Sequence, residues 1–471
     1  MTCFTSGRLL LLGALWLPAC GSDNGTFVDA AAVDAAPIDA APVCVAPPAN
    51  IVKHTASIAA AATEVWKASE GVHQLDGNIN VAGTLVIEPC AQVRLAKDVS
   101  LTLSGSGLLR MGAATGGPVT VDAVDPAQPW HTIYSPFATT RMELVNAVLK
   151  NGGSAGANGG GTVYVRGNAV AGAAPTTNVL LVSNVRIENS ATFGIQLDNG
   201  AGFDSGSNNL TISNSQKSPI ALYGKAAGTI PAGTYTGNAD ARFQLEGSNA
   251  GLIDVDTTWR FRGLPIATGF GGLKVANATS NAVLTLEPGV IVEMREPLPY
   301  RITVGAGSGD AVPTGTLVAV GTAAAPIIFR GRGSKNDWAG IGFYGQVDPR
   351  SHFDHVVIED IGGDDSTNGA ECIDDNPQTT AADESSGAIR FFLLNNNADV
   401  NLRLDLLRNS TIRRSGSNGV LPDFHPGNAL DFCATNTFTD IDQCNQSAFP
   451  IFSGPNLTCP NAPAASPCAC E

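Results

Sequence analysis

Carboxylates mass most densely in one stretch of this sequence, and they are the first side chains to examine for chemistry. Gly363-Asp-Asp-Ser-Thr-Asn-Gly-Ala-Glu371-Cys-Ile-Asp-Asp375, trailed by Asp383 and Glu384, brings Asp364, Asp365, Glu371, Asp374 and Asp375 into one loop. Calcium takes about six to eight oxygen ligands, so calcium is the ion these carboxylates could hold. Their spacing matches neither the EF-hand loop nor the Gly-Gly-x-Gly-x-Asp repeat, and the plainer reading is a solvated acidic loop tied down by Cys372. Upstream, Arg330, Arg332 and Lys335 form a basic strip where so acidic a chain could meet an acidic polymer. His352 and His355 flank a predicted strand from Phe353 to Ile358, and His425 sits in Asp423-Phe-His-Pro426. With no second ligand at metal spacing on the same strand face, they read as surface histidines. Serine-nucleophile motifs, phosphate-cradling glycine loops and basic patches larger than that strip are absent, so no residue is assigned a catalytic role. A formal charge of −15 and a pI near 4.8 exclude nucleic acid as the partner.

The elements that must position these side chains are short strands. Gly 53 and Pro 28 against 15 % charged residues point to many tight turns and few solvated helices. Mean hydropathy of +0.09 with 44 % hydrophobic residues is that of a soluble globular chain. Gly83-Thr-Leu-Val-Ile87, Val99-Ser-Leu-Thr-Leu103, Thr162-Val-Tyr-Val165 and Val185-Arg-Ile187 are brief alternating segments broken by Gly, Asn or Asp. Strands this short suit a solenoid in which each coil rests on the next.

The plan is written twice. Thr84-Leu-Val-Ile-Glu-Pro89 recurs as Val283-Leu-Thr-Leu-Glu-Pro288, Trp130 with Ile133 as Trp338 with Ile341, and Asn184-Val-Arg-Ile-Glu-Asn-Ser190 as Asn409-Ser-Thr-Ile-Arg-Arg-Ser415. The offset grows along the chain, so length was added between landmarks, in loops. Recurrence of Trp66 as Trp259 and of Trp130 as Trp338 argues for packing rather than for sugar-stacking platforms. Inward ladders are expected from Leu85, Ile87, Leu101, Leu103, Ile187 and Ile195, and from Leu284, Leu286, Ile328, Ile412 and Val420. One continuous stack of about 18 coils would span roughly 85 Å at about 4.8 Å per coil.

Arg8 and the apolar run from Leu9 to Leu17 have the proportions of a secretory signal, and Leu17-Pro-Ala-Cys20 resembles a bacterial lipobox. That resemblance implies lipidation of Cys20, and Gly21 behind it implies outer-membrane sorting. A repeat of apolar residue, Asp and small residues follows, interrupted by Pro37, Pro42, Pro47 and Pro48. It cannot build a core, and some 25 residues of polyproline II at about 3.1 Å each would reach roughly 75 Å. The expected organisation is signal peptide 1–19, lipid-anchored tether 20–49, first β-helix half 50–256 and second half 257–471 with a cysteine-rich C-terminal cap. An exported chain favours disulfides. Cys44 could clip the end of the tether to Cys90, which stands where the second copy has Gly289, and Cys372 could pair with Cys433. Cys444 and Cys459 are further candidates, and Cys468-Ala-Cys470 is too close for easy mutual bonding. Spacing decides no pairing. Zinc is the rival use, disfavoured because no histidine lies among these cysteines.

Leu284-Thr-Leu-Glu-Pro-Gly-Val290, Val320-Gly-Thr-Ala-Ala-Ala-Pro-Ile-Ile-Phe329 and Asp337-Trp-Ala-Gly-Ile-Gly-Phe343 resemble bacterial right-handed parallel β-helix proteins of the pectate lyase-like kind. The first copy departs from the wording, with Cys90 for glycine, Met111-Gly-Ala-Ala-Thr-Gly-Gly-Pro118 loosening the Gly-Thr-Ala run, and His131-Thr132 after tryptophan. The resemblance implies an all-β, single-stranded solenoid, with Asn184, Asn189, Asn209 and Asn409 as turn ladders. It does not imply an activity, because the superfamily hosts lyases, hydrolases, adhesins and inert scaffolds. Of the elements that mark polygalacturonases only Asp-Asp occurs, and Arg186-Ile187-Glu188 breaks the basic one. The expectation is a lipid-anchored surface rod that binds, adheres or scaffolds without catalysis. Its partners would be the membrane and a polysaccharide or another surface protein. The alternatives are a carbohydrate-active enzyme, such as a calcium-assisted lyase, and an assembly subunit with no small ligand.

Overall fold

An alternating strand three to six residues long has one apolar face to bury and two edges to pair, and neither need can be met within a single turn of chain. The computed structural model describes residues 44–471 other than 157–159, 169, 270, 295–300, 306–313, 363–386, 393–403, 422–431, 443–444, 448–467 and 470–471. Its strands stack as a right-handed parallel β-helix. All the strand pairs are parallel except a short one at the C-terminus, Gln446–Ser447 against Cys468–Ala469. A 13-stranded sheet runs unbroken from Ile79–Val81 to Thr437–Ile441, a 12-stranded sheet forms the other walls of the first half, and sheets of 8 and 5 strands form those of the second. Among the described residues no helix is long and apolar enough to cross a membrane.

The interior is a set of in-register ladders. Ile79, Leu101, Ile133, Val163, Ile195 and Ile220 lie over one another on one wall, and Leu85, Leu109, Met142 and Leu180 on the next. All are buried. Each such side chain removes about 2 kcal/mol of apolar surface from water, so stacking secures strands that could not stand alone. The expected ladder residues are inside, with one correction. Ile328 faces out, and Ile327 and Phe329 point into the core. In the run Pro326-Ile-Ile-Phe329 the apolar residues fall on both faces, and a slip of one residue reverses inside and outside.

The coil count also needs correcting. Thirteen strands make a wall of roughly 60 Å at about 4.8 Å spacing, shorter than 18 coils would give. Coils are longer than expected, because partners on this wall lie from 22 to 54 residues apart, and the loops take up the difference.

The two copies follow one another along the axis but are turned by one wall. Thr84–Ile87 and Gln92–Leu95 both belong to the 12-stranded sheet, and Leu101–Leu103 to the 13-stranded one. Their counterparts Ala282–Leu286, Ile291–Met294 and Ile302–Val304 belong to the 5-, 13- and 8-stranded sheets respectively. The change occurs where the 12-stranded sheet ends at Gly233–Thr236 and new walls begin at Leu252–Ile253 and Thr257–Trp259. Local geometry is nonetheless repeated closely. Trp130 and Trp338 are both fully buried, and their indole N–H groups donate to the equivalent carbonyls of Lys150 (2.7 Å) and Glu359 (2.8 Å). The tryptophans are packing residues.

Corners between walls require left-handed backbone, which asparagine tolerates better than most residues. Two amide ladders result in the first copy. Asn146, Asn184 and Asn209 have φ of 50°, 54° and 46°, with Asn184 donating to Asn146 (3.0 Å) and Asn209 to Asn184 (2.9 Å). Asn151, Asn189 and Asn214 repeat the arrangement at the other corner. Asn184→Ala removes both ladder bonds and leaves a side chain without compensation in the left-handed region, so it should cost about 1 kcal/mol. Asn184→Gly, which keeps the backbone free, should recover roughly half of that. Urea denaturation midpoints of the two variants check the order.

Candidate functional site

Charge replaces amide at the same corners of the second copy. Asn151, Asn189 and Asn214 correspond to Asp360, Arg414 and Asp440, again at positive φ (70°, 53° and 58°). Arginine in the left-handed region is unusual, and such outliers mark places where something other than local comfort selects the residue. Beside this corner the outward row of the 13-stranded sheet reads Glu293, Arg330, Glu359, Arg413, each opposite the next. The first copy keeps one ion pair at the equivalent place with its sign reversed, Lys150 with Glu188 at 3.4 Å.

A concavity of about 360 Å³ opens here, lined by Arg242, Glu293, Arg330, Arg332, Glu359, Asp360 and Arg414 with Gly331 and Gly333. Glu293 accepts from Arg242 at 2.5 Å and from Arg330 at 2.7 Å. Glu359 pairs with Arg413 at 2.6 Å and Arg414 at 3.3 Å, and Arg414 also reaches Asp360 at 2.7 Å. The turn carrying Arg332 is fixed from beneath, because Asp360 accepts from the Gly333 amide (3.1 Å) and Asp337 from those of Arg332 (2.5 Å) and Ser334 (3.0 Å). Among the described residues the Arg332 guanidinium has no carboxylate partner, and its side chain is exposed. Among the described residues Arg330 commits only Nε and Nη2. The lining can therefore offer guanidinium donors to an anionic group, in the fork geometry that suits a carboxylate.

Asp360 is fully buried. Burial pushes its carboxyl above the usual aspartate value, Arg414 opposes that, and Glu359 and Asp337 add to it. Both Glu359 and Asp360 are ion-paired, so proton exchange with a substrate would first have to break a contact.

No protein-family model, curated protein or solved structure matches this chain. The first half of the chain is therefore the comparison for the second, and at this corner the two differ in chemistry, amide against charge.

Other expected site residues fall elsewhere. His352 begins the strand His352–Asp354 and His355 sits at the corner before Val356–Ile361, so the single strand expected from Phe353 to Ile358 is bent at His355. His355 Nδ1 donates to Asp354 (2.7 Å), which also accepts from Arg408 (2.8 Å) and Asn409 (2.9 Å). Burial works to raise the Asp354 carboxyl, but these donors outweigh it and hold it below the usual range. Lys335 is not part of a free basic strip, being paired with Asp440 (2.7 Å) and Asp442 (2.5 Å). Cys44 is bonded to Cys90, and Cys433 is also disulfide-bonded. Asp364, Asp365, Glu371, Cys372, Asp374 and Asp375, with Cys20, His425, Cys444 and Cys459, lie outside the described residues. Among the described residues no three His, Cys, Asp or Glu side chains come together to hold a metal ion.

Glu293, Glu359, Asp360, Arg242, Arg413 and Arg414 escape a search for catalytic spacing. Aligning the chain with itself and asking where asparagine becomes charged would have found Asp360 and Arg414. With the folded carboxyl of Asp360 above its unfolded value of 3.8, the folded chain holds a proton that the unfolded chain has already lost. The stability this contributes is present below that value and lost as pH rises through the folded one. Relative to Asp360→Asn, the wild type should therefore lose stability as pH rises from about 4 toward neutrality. Parallel urea titrations across that interval measure the difference.

Proposed function

We propose that the protein is a lipid-anchored rod on the cell surface that binds a carboxylate-bearing polysaccharide in the Arg332 pocket, acting in adhesion or envelope scaffolding without turnover. The observation that carries this reading is a guanidinium with no carboxylate partner among the described residues, in a concave, arginine-lined site on a chain of net charge −15. Elsewhere such a chain repels an acidic polymer, so a local cluster of donors is what would select and place it. The long side chain of Arg332 on a turn fixed by two aspartates gives a directed contact rather than a diffuse one. The lipobox-like Leu17-Pro-Ala-Cys20 and the proline-punctuated stretch behind it supply the anchor and the stand-off. The pectate lyase-like wording of the second copy is compatible with glycan recognition but equally with other uses of the fold.

A second reading, a carbohydrate-active enzyme such as a calcium-assisted lyase, is favoured by one observation, a buried Asp360 carboxyl raised above its ordinary value beside arginines in a cleft. Its calcium would fall to Asp364, Asp365, Glu371, Asp374 and Asp375.

Purified protein titrated with uronic-acid and neutral oligosaccharides should bind the former and yield no unsaturated-uronate absorbance, with or without chelator. Arg332→Ala should weaken binding about tenfold, or about 1.4 kcal/mol, and added salt should weaken the wild type more than the variant. Chelator-sensitive product would replace this reading with the enzymatic one, and equal binding of neutral glycans would remove Arg332 from it. Separately, Cys20→Ser should move the protein from the membrane to the soluble fraction in fractionated cells.

A further inference from the structure

The first strand of the solenoid, Ile51–His54, is paired along one edge only. It pairs only with Val72–Leu75, and none of its four side chains is buried. Ile51 is 54 % exposed, and the apolar core begins only at Ile58 and Trp66. Besides one ladder of backbone bonds the strand is held by the stacking of His54 on Trp66 (4.1 Å) and by Lys53 with Asp76 (2.7 Å), and a terminal strand with one paired edge yields bond by bond when pulled from its end. Coils in a solenoid lean on their neighbours alone, so loss of the first exposes the next.

The Cys44–Cys90 disulfide bridges this weak end, closing a loop of 46 residues with its Cα atoms 5.3 Å apart. The loop encloses the strands Ile51–His54, Thr63–Trp66, Val72–Leu75, Ile79–Val81 and Thr84–Ile87. Cys90 occupies a left-handed corner (φ 67°) where the second copy has Gly289 (φ 85°). Cysteine is a poor choice for that backbone and glycine a good one, so the bridge is what accounts for a cysteine there. The wall is buried and doubly paired on both sides of Cys90, with Val72–Leu75 between Ile51–His54 and Gln92–Leu95, and Gln92–Leu95 between Val72–Leu75 and Val119–Ala123, so towards the N-terminus this wall thins only at its singly paired first strand.

We propose that the Cys44–Cys90 disulfide is a load-transfer staple that carries tension arriving from the N-terminal side directly into the body at Cys90 and takes the weak terminal coils out of the path of force. This rests on the anchor reading above for the origin of the load, but its mechanics are a property of the soluble protein. A stalked surface protein that engages a polymer is pulled between anchor and ligand, and residues 45–89 would otherwise be the first to peel.

The test is optical-tweezers stretching of the full chain carrying Cys20→Ser, with handles at its two ends, under oxidising and reducing conditions. Without the bridge, whether through reductant or Cys44→Ser, an additional early event should appear. It should release about 160 Å, the contour of 46 residues at about 3.6 Å each, at a force below that of the body. In the oxidised protein that event should be missing. If the extra length instead comes out only together with the body, the terminal coils are not a weak unit and the proposal fails. Hydrogen exchange provides a check that needs no force: the bridge should slow exchange at residues 51–54 about tenfold or less, because its role is to redirect load. A far larger loss of protection at residues 92–123 on reduction would make the disulfide a requirement for folding and overturn the mechanical reading. Membrane fractionation of Cys20→Ser reports on the anchor alone, so failure of either idea is distinguishable from failure of the other.

Discussion

Each interior strand of the solenoid takes its hydrogen-bond partners from the coils on either side and has none within its own turn. That constraint shapes the remainder of the structure. Because pairing is parallel and in register, whatever a position holds must suit the same position one coil away, which is why Ile79, Leu101, Ile133, Val163, Ile195 and Ile220 are all aliphatic. Corners obey the same rule with different chemistry. A left-handed residue in one coil stands over a left-handed residue in the next, and amides that can donate and accept in turn are the natural occupants, as at Asn146, Asn184 and Asn209. Trp130 and Trp338 add a fixed point per copy, each indole tied to a carbonyl of the wall that follows it.

Stacking also dictates how charge can be accommodated outside. A row of like charges spaced by a coil repeat would repel, so an outward charged row must alternate, and Glu293, Arg330, Glu359 and Arg413 do. The Asp360–Arg414 contact obeys the same logic at the corner. Most charges at the site are therefore consumed by their neighbours, and what is left for a ligand is the residue that lies off the ladder. Arg332 is such a residue, on a turn rather than a strand, with its backbone bound by Asp337 and its side chain facing solvent. The asymmetry between a neutralised row and one uncommitted donor is what turns a structural ion-pair ladder into a candidate binding site.

The turn of one wall between the copies matters for the same reason. If the duplicated halves were in phase, their equivalent walls would form single long sheets, and the charged row of the second copy would continue the one containing Lys150 and Glu188. It instead continues the wall carrying Tyr134, Tyr164 and Gln196, with Ala221, Gln244 and Ala267 between. The unbroken 13-stranded sheet thus presents aromatic and amide side chains along the first half and charges along the second.

The alternation of short apolar segments, the glycine and asparagine punctuation and the duplication were enough by themselves to determine an all-β parallel solenoid, the burial of its tryptophans and the possibility of a Cys44–Cys90 bond. These are properties each coil imposes on the next, so they are written locally and repeatedly. Where apolar residues ran on both faces, as at Ile327, Ile328 and Phe329, the pattern was degenerate and only packing chose the inward pair. Coil length was illegible because loops carry no periodicity, and the 54-residue excursion between Glu359 and Arg413 has no repeat to count. Only the tertiary structure brought Arg242, Glu293, Arg330 and Arg414 to one concavity, set Lys335 against Asp440 and Asp442, and left Arg332 without a carboxylate partner among the described residues. Those residues lie on separate coils, and their meeting depends on the register of the wall and on the rotation between copies. Neither of these is encoded in the spacing of any one segment.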